Sequence, residues 1–309
     1  MRDLKIDSLQ PLLIDVPNYQ RFMGHYYLSE LVVRTDSCGQ TCWVLTLSDG
    51  SGDFRVYCNS PDMMATPLQE HTMIHVEAAL QQTHGSAYYK CKNLLPNSGN
   101  GYMGCDLSVL PRTLCPFPEI YDALIIFVSR LSHPLLQRFI RRVLLQTNVG
   151  PRFLQCPASL NYHHNYPGGL LQHSVEIAWA IVGIQDFSPL ERDIAVVSAL
   201  LHDIGKTLTL TPQMTRTAIG RLVDHSQLTL ELCAEPLREL EASSPSIAHQ
   251  LRHAWTCYSP RARYGYKPKT AVAKHLQRVD KMNADQEITN WHVPVFDNAV
   301  DVLRNKDAG

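Results

Sequence analysis

Several things are missing from these 309 residues, and each absence narrows the field. No stretch is apolar for the length of a membrane span, and Met1 to Asp7 is charged where a secretory leader would carry an apolar run. The expectation is a soluble, cytoplasmic protein with no membrane partner. Nine cysteines are scattered, odd in number, and contain no C-x-x-C pair. That argues against a disulfide framework or a cysteine zinc site. No Walker phosphate loop occurs, which argues against a helicase motor. Neither charge predominates: 28 Lys+Arg face 29 Asp+Glu, a net of -1, so any contact with a polyanion is local. Residues 1–115 carry 8 Lys+Arg against 11 Asp+Glu, whereas residues 116–309 carry 20 against 18. The basic clusters are Arg138/Arg141/Arg142 and the stretch from Arg261 to Lys281.

What is present divides into two patterns. Between Arg21 and Leu95, five short alternating runs (26–34, 41–47, 54–57, 73–77 and 87–90) predict strands. Asp49-Gly50-Ser51-Gly52 predicts a hairpin between the second and third, and His84-Gly85 a turn between the fourth and fifth. Five strands at this spacing fit a small OB-like β-barrel. Residues 96–118, with prolines at 96, 111, 116 and 118 and an Asn/Gly/Ser run, read as a linker. After Glu119 the period becomes helical, with helices expected over 119–131 and 134–147. Ser188-Pro-Leu-Glu191 is a capping box with proline at the first helical position, and Thr270 is a cap for a later helix. The expected organisation is an OB-like domain plus linker over 1–115 and an all-α domain over 116–309.

The most informative dipeptide is His202-Asp203, at the end of the apolar run that begins at Ile194. A histidine and a carboxylate in so apolar a helix each cost several kcal/mol to bury without a partner, and a divalent cation is the natural one. His173 and Asp280, on separate predicted helices, complete an H...HD...D set. Imidazole and carboxylate together suit one or two ions of Mn, Mg, Fe, Ni, Co or Zn. Lys206, four residues after His202 on a continuing helix, points the same way and is a candidate phosphate contact. His225 and His253 lie between the dyad and Asp280 and are candidates for a second metal, with Asp203 bridging.

Further candidates surround this set. His163-His164 precede Asn165-Tyr-Pro-Gly-Gly169, a turn able to offer backbone donors to an anion, and the two rings are candidates for substrate contact or proton transfer. Residues 258–269 interleave basic and tyrosine side chains, and Arg261, Arg263, Tyr264 and Lys267 are expected to bind a single strand by stacking and phosphate neutralisation. Trp43, Phe54, Tyr57 and Tyr88 offer a stacking face on the barrel, with Asp49 and Asp53 opposing a polyanion there.

In their order, His173, His202-Asp203 and Asp280 resemble the HD-domain metal-dependent phosphohydrolase superfamily. The segment from Pro157 to Glu176, with its HH...GGLLxH run, is similar to two groups: YhaM-like 3′-to-5′ exoribonucleases, which place an OB domain before the HD domain, and the HD domain of conjugative-element relaxases. The resemblance implies a helical core around one or two divalent metals and hydrolysis of phosphoesters. It implies His173, His202, Asp203 and Asp280 as ligands, Lys206 on phosphate, and His225 and His253 as the intermediate histidines of binuclear members. The function expected is metal-dependent hydrolysis of single-stranded RNA or DNA, as a 3′-to-5′ exonuclease. The alternatives are a small-phosphoester hydrolase and a relaxase-like DNA-processing accessory of a mobile element. The sequence assigns no oligomeric state.

Overall fold

The computed structural model describes residues 5–35, 39–59, 68–83, 86–96, 106–146, 148–257 and 266–285. The chain divides into two compact units, residues 1–113 with 145–148, and residues 114–144 with 149–309.

The first unit is a six-stranded sheet: β1 (Lys5–Leu9), β2 (Tyr19–Thr35), β3 (Thr41–Asp49), β4 (Gly52–Cys58), β5 (Thr72–Thr83) and β6 (Ser86–Pro96). The expected five strands are there and longer than their apolar runs, and β1 adds a sixth that pairs parallel to β2. Strand β2 is seventeen residues long because it serves two partners. Residues 21–28 pair with β5 and residues 27–35 with β3, with a bulge between Leu28 and Glu30 at the handover. A bulge bends a strand and adds twist, which lets one strand take part in both ladders. The pairings run β2–β3–β4–β6–β5 and return to β2, with β4 and β6 parallel. Phe22, Tyr26, Leu28, Leu45, Leu47, Val56, Ile74 and Val76 fill the core. The buried Tyr89 hydroxyl donates to Val16 O or Tyr19 O, at 2.9 and 2.6 Å.

The hairpin at Asp49–Gly52 forms with Asp49 opposite Gly52. Its Asp49 is not a surface charge. The side chain is buried, and it accepts N–H groups from Leu13 (2.8 Å), Ser51 (2.7 Å) and Gly52 (3.2 Å). Burial pushes its carboxyl up to about 6, against the pull of these bonds. His84-Gly85 lie outside the described residues.

The second unit is helical: α1 (Pro118–Arg130), α2 (Pro134–Leu144), α3 (Val149–Gln155), α4 (Gly169–Val182), α5 (Pro189–Leu201), α6 (Lys206–Thr209), α7 (His225–Leu232), α8 (Ala234–Ser243), α9 (Pro245–Thr256) and α10 (Ala271–Ala284). Helices α1, α2, α5 and α9 open on proline, which costs nothing in a first turn whose N–H groups have no intrahelical acceptor. The capping box at Ser188/Glu191 and the Thr270 cap both form. Helix α2 ends at Leu144, three residues before the expected Thr147. Its start is held from α5, where Asp193 Oδ2 accepts the N–H groups of Ser132 and His133, both at 2.8 Å. Helices α4 and α5 are buried along most of their length, and α10 packs on both. That packing brings three distant chain segments together. No helix among the described residues is long and apolar enough to cross a membrane.

Candidate metal centre

Helix α4 brings His173, the end of α5 brings His202 and Asp203, and α10 brings Asp280. Their donor atoms converge. His173 Nε2 lies 3.2 Å from His202 Nε2, 3.3 Å from Asp280 Oδ1 and 3.6 Å from Asp203 Oδ2. His202 Nε2 lies 3.4 Å from Asp203 Oδ2 and 3.7 Å from Asp280 Oδ1. Ligands about 2.1 Å from one cation stand roughly 3.0–3.5 Å apart, so the spacing and the nitrogen/oxygen donor set fit a divalent metal.

The imidazoles are oriented for that task. His202 Nδ1 donates to the Ala199 carbonyl at 2.8 Å, and His173 Nδ1 donates to Asn283 Oδ1 at 2.7 Å. The Asn283 amide is itself fixed, because its Nδ2 donates to Glu176 Oε2 at 2.8 Å. With both Nδ1 atoms donating outward, both Nε2 atoms face the centre, the arrangement by which outer partners orient a ligand ring. Glu176 also takes Gln172 Nε2 at 2.8 Å and pairs with His164 Nε2 at 2.9 Å. Asn283 and Glu176 were not read from the sequence, although each stands three residues after a ligand on the same helix, Asp280 and His173. We expect Asn283→Leu to lower metal affinity about 10- to 100-fold, by freeing the His173 ring. Competition titration against a chromophoric chelator checks this, and wild-type affinity would show that Asn283 does not set the ligand.

The charges balance without a cation. Burial opposes a proton on His202, but the Asp203 and Asp280 carboxylates outweigh it and carry the ring up to about 10. Burial holds His173 below its ordinary value. Burial would raise Asp203, but His202 and Lys206 hold it well below the usual carboxylate range, and His173 and His202 likewise hold Asp280 down. A divalent metal held by these residues would take the place of the His202 proton.

Lys206 does not stand where a continuing helix would put it. Helix α5 ends at Leu201, His202 caps it, and the chain turns through Gly205 before the short α6. Lys206 nevertheless reaches the centre, with Nζ 2.5 Å from Asp203 Oδ2. His225, at the start of α7, places Nε2 3.0 Å from Asp203 Oδ1. His253 does not join it. Its Nε2 accepts the Lys269 N–H at 2.9 Å, and it belongs to neither His/Asp group among the described residues.

The histidine pair does reach the centre. His163, His164 and His173 present ring nitrogens within 4.8 Å of one another, a second grouping that shares His173. Burial, then the neighbouring His173, lower His163 to about 4, so it is neutral at pH 7. His164 adopts a left-handed backbone, φ 51°, and its carbonyl packs where a β-carbon on Gly169 would lie 2.2 Å away. Glycine at 169 is thus required for close approach, and α4 starts there. Arg261, Arg263 and Tyr264 lie outside the described residues. Lys267 is exposed. The centre opens on one side, with the His173 side chain 1% exposed against 43% for Asp280 and 33% for His225.

Comparison with known proteins agrees with this geometry. Residues 170–285 match the HD domain family. The chain is 26% identical over 255 residues to 3′-5′ exoribonuclease YhaM of Bacillus licheniformis, covering 80% of each chain. It is 26% identical over 258 residues to the protein of that name from Bacillus subtilis, again 80% of each, and 25% identical over 263 residues to that of Listeria innocua, 82% of each. The metal-type donor set and these matches together give residues 170–285 as an HD domain, in a chain that is similar to the YhaM exoribonucleases over most of its length.

Proposed function

We propose that this protein is a metal-dependent phosphodiesterase that trims single-stranded nucleic acid from its 3′ end. The observation that carries the reading is the convergence of His173, His202, Asp203 and Asp280, with both imidazoles locked to present Nε2. When bound in such a site, a divalent cation acidifies a water and offsets the charge that builds on a phosphate under attack. The chain's own residues do the rest. Asp203 gathers His202, His225 and Lys206 around its two oxygens and fixes their spacing. Lys206, 15% exposed, supplies a cation that turns to a non-bridging phosphate oxygen. His163, its ring centroid 5.1 Å from that of His173, contacts the phosphate or assists the leaving 3′-oxygen.

The substrate and direction of cleavage are supported by the relatives, which are named 3′-5′ exoribonucleases. In the same reading the N-terminal unit is an OB-type barrel that binds the strand. Its support is the circuit of pairings that returns to β2, together with an open pocket of about 590 Å³ lined by Phe54, Arg55, Tyr57 and Tyr88. Rings beside a cation are the means by which sheets of this kind hold unpaired bases.

The test is a gel assay of 5′- and 3′-labelled single-stranded RNA and DNA, with metal-stripped protein given Mn, Mg, Ni, Co, Fe or Zn in turn. The expected result is a cation-dependent ladder from the 5′-labelled strand. Intact strands with every cation, in protein shown to bind metal, would overturn the reading.

A further inference from the structure

Beside the metal centre, the segment between α6 and α7 folds back on itself. Thr211 N donates to Thr215 O at 2.9 Å, Thr217 N donates to Thr209 O at 3.0 Å, and the segment ends in a 3-10 turn over Ile219–Arg221. With the start of α7 it shapes an open pocket of about 250 Å³, lined by Thr209, Arg216, Arg221, Leu222, Asp224 and His225 among others. His225 joins the pocket to the centre, because its Nε2 is the atom 3.0 Å from Asp203 Oδ1.

The pocket is basic and its charges are uncommitted. The Arg216 guanidinium donates to the Gly220 carbonyl at 3.2 Å and makes no ion pair among the described residues. The Arg221 side chain has neither an ion pair nor a hydrogen bond among them. The carboxylate on this wall is Asp224, which is occupied: Oδ1 accepts the Ser226 N–H at 2.9 Å as the cap of α7 and lies 3.6 Å from His225 Nδ1. The rim is apolar and uncovered, with Leu222 88% exposed, Ile219 40% and Val223 36%. Large aliphatic side chains clustered in water next to unpaired guanidiniums are poor packing but a suitable surface for a nucleotide, which offers a flat base beside a phosphate.

We propose that Arg216 and Arg221 hold a second, uncleaved phosphate of the strand whose terminal phosphodiester sits at the metal centre, with a base against Leu222. The inference rests on the phosphodiesterase reading of that centre and adds a specificity to it. A ligand that fills both places carries at least two phosphates, so the pocket selects a polymer over a single phosphodiester. Guanidinium is the fitting group, since its planar fork meets phosphate oxygens two at a time.

The test uses the full chain and the double variant Arg216→Gln/Arg221→Gln. Both side chains are exposed, and circular dichroism checks the fold. Binding of a fluorescein-labelled single-stranded oligoribonucleotide to metal-free protein, followed by anisotropy across a salt series, needs no catalysis. Kd is expected to rise about tenfold. The slope of log Kd against log salt is expected to fall by roughly 1.4, because two fewer positive charges then neutralise the backbone of a single strand. In metal-loaded protein KM for the oligonucleotide rises similarly, while hydrolysis of bis-p-nitrophenyl phosphate, which has one phosphate, stays within about twofold. Arg216→Lys/Arg221→Lys restores the salt slope but only part of the affinity. Unchanged oligonucleotide binding would overturn the proposal, as would equal loss on both substrates. Arginine-dependent binding by a wild-type protein that cleaves neither substrate would support the pocket and overturn the hydrolytic reading alone.

Discussion

Asp203→Asn lowers hydrolysis by at least about 10³-fold, roughly 4 kcal/mol of transition-state stabilisation, and strips the protein of metal. The size of the effect follows from what the carboxylate gathers. Its Oδ2 faces His173 at 3.6 Å, His202 at 3.4 Å and Lys206 at 2.5 Å, while Oδ1 takes His225 at 3.0 Å. Asparagine keeps the volume and one acceptor oxygen but removes the charge, so the site loses half of its anionic ligands in one step. His202 and Lys206 then have Asp280 as the remaining carboxylate of the centre, and a divalent cation added to them is repelled. Elemental analysis after dialysis and steady-state rates on a labelled strand check both halves of the expectation. Far-ultraviolet circular dichroism should match the wild type, because α5 has already ended at Leu201. A variant that retains both metal and near-normal turnover would remove Asp203 from the centre.

Gly205→Ala is expected to cost about 2–4 kcal/mol of stability, a drop of roughly 5–15 °C in the melting temperature of the helical unit. The backbone here is ordinary, φ -60° and ψ -19°, so dihedral strain is not the cause. Space is. A β-carbon at this position would lie 2.0 Å from the His225 carbonyl oxygen and 2.6 Å from Thr229 N, both backbone atoms of α7 that cannot rotate aside. The contact is reinforced by Gly205 N donating to Thr229 Oγ1 at 3.0 Å and by that hydroxyl donating to His202 O at 3.2 Å. Pushing α7 away breaks both bonds and draws His225 from Asp203, so the variant loses activity as well as stability. Gly183→Ala is the control. Its added carbon would meet Ala180 O at an easy 3.4 Å, and its melting temperature should stay within about 2 °C of wild type. Equal melting of both variants would remove the close approach at Gly205 as the cause.

The parts of this protein that could be read from its sequence are those whose cause lies within a few residues. The Ser188/Glu191 capping box, the Thr270 cap and the Asp49–Gly52 hairpin each satisfy neighbouring backbone groups, and each formed where expected. The candidate ligands stood out for a different reason. Histidine and aspartate in otherwise apolar helices are expensive enough to announce a shared partner, although their spacing does not say how they meet. Packing supplied that, as α10 lies across α4 and α5.

Where local reasoning stopped, a long-range contact or a chain turn decided the outcome. His253 looked like a ligand by residue type, but α9 presents it to Lys269 instead. Lys206 stands on the short helix after the turn that follows Leu201, and it reaches the same centre by pairing with Asp203. Asp49 read as a surface charge until the fold buried it under the Leu13 N–H. The Asn283 amide that orients His173 stands 110 residues from it, and no pattern along the chain ties the two. The sequence by itself determined five of the strands, the caps at Ser188 and Thr270 and the residue types gathered at the centre, because these follow from backbone hydrogen bonding and from the cost of burying charge. The tertiary structure alone decided which nitrogen of each imidazole faces the centre and which arginines stand beside it, because those depend on contacts between segments that only packing brings together.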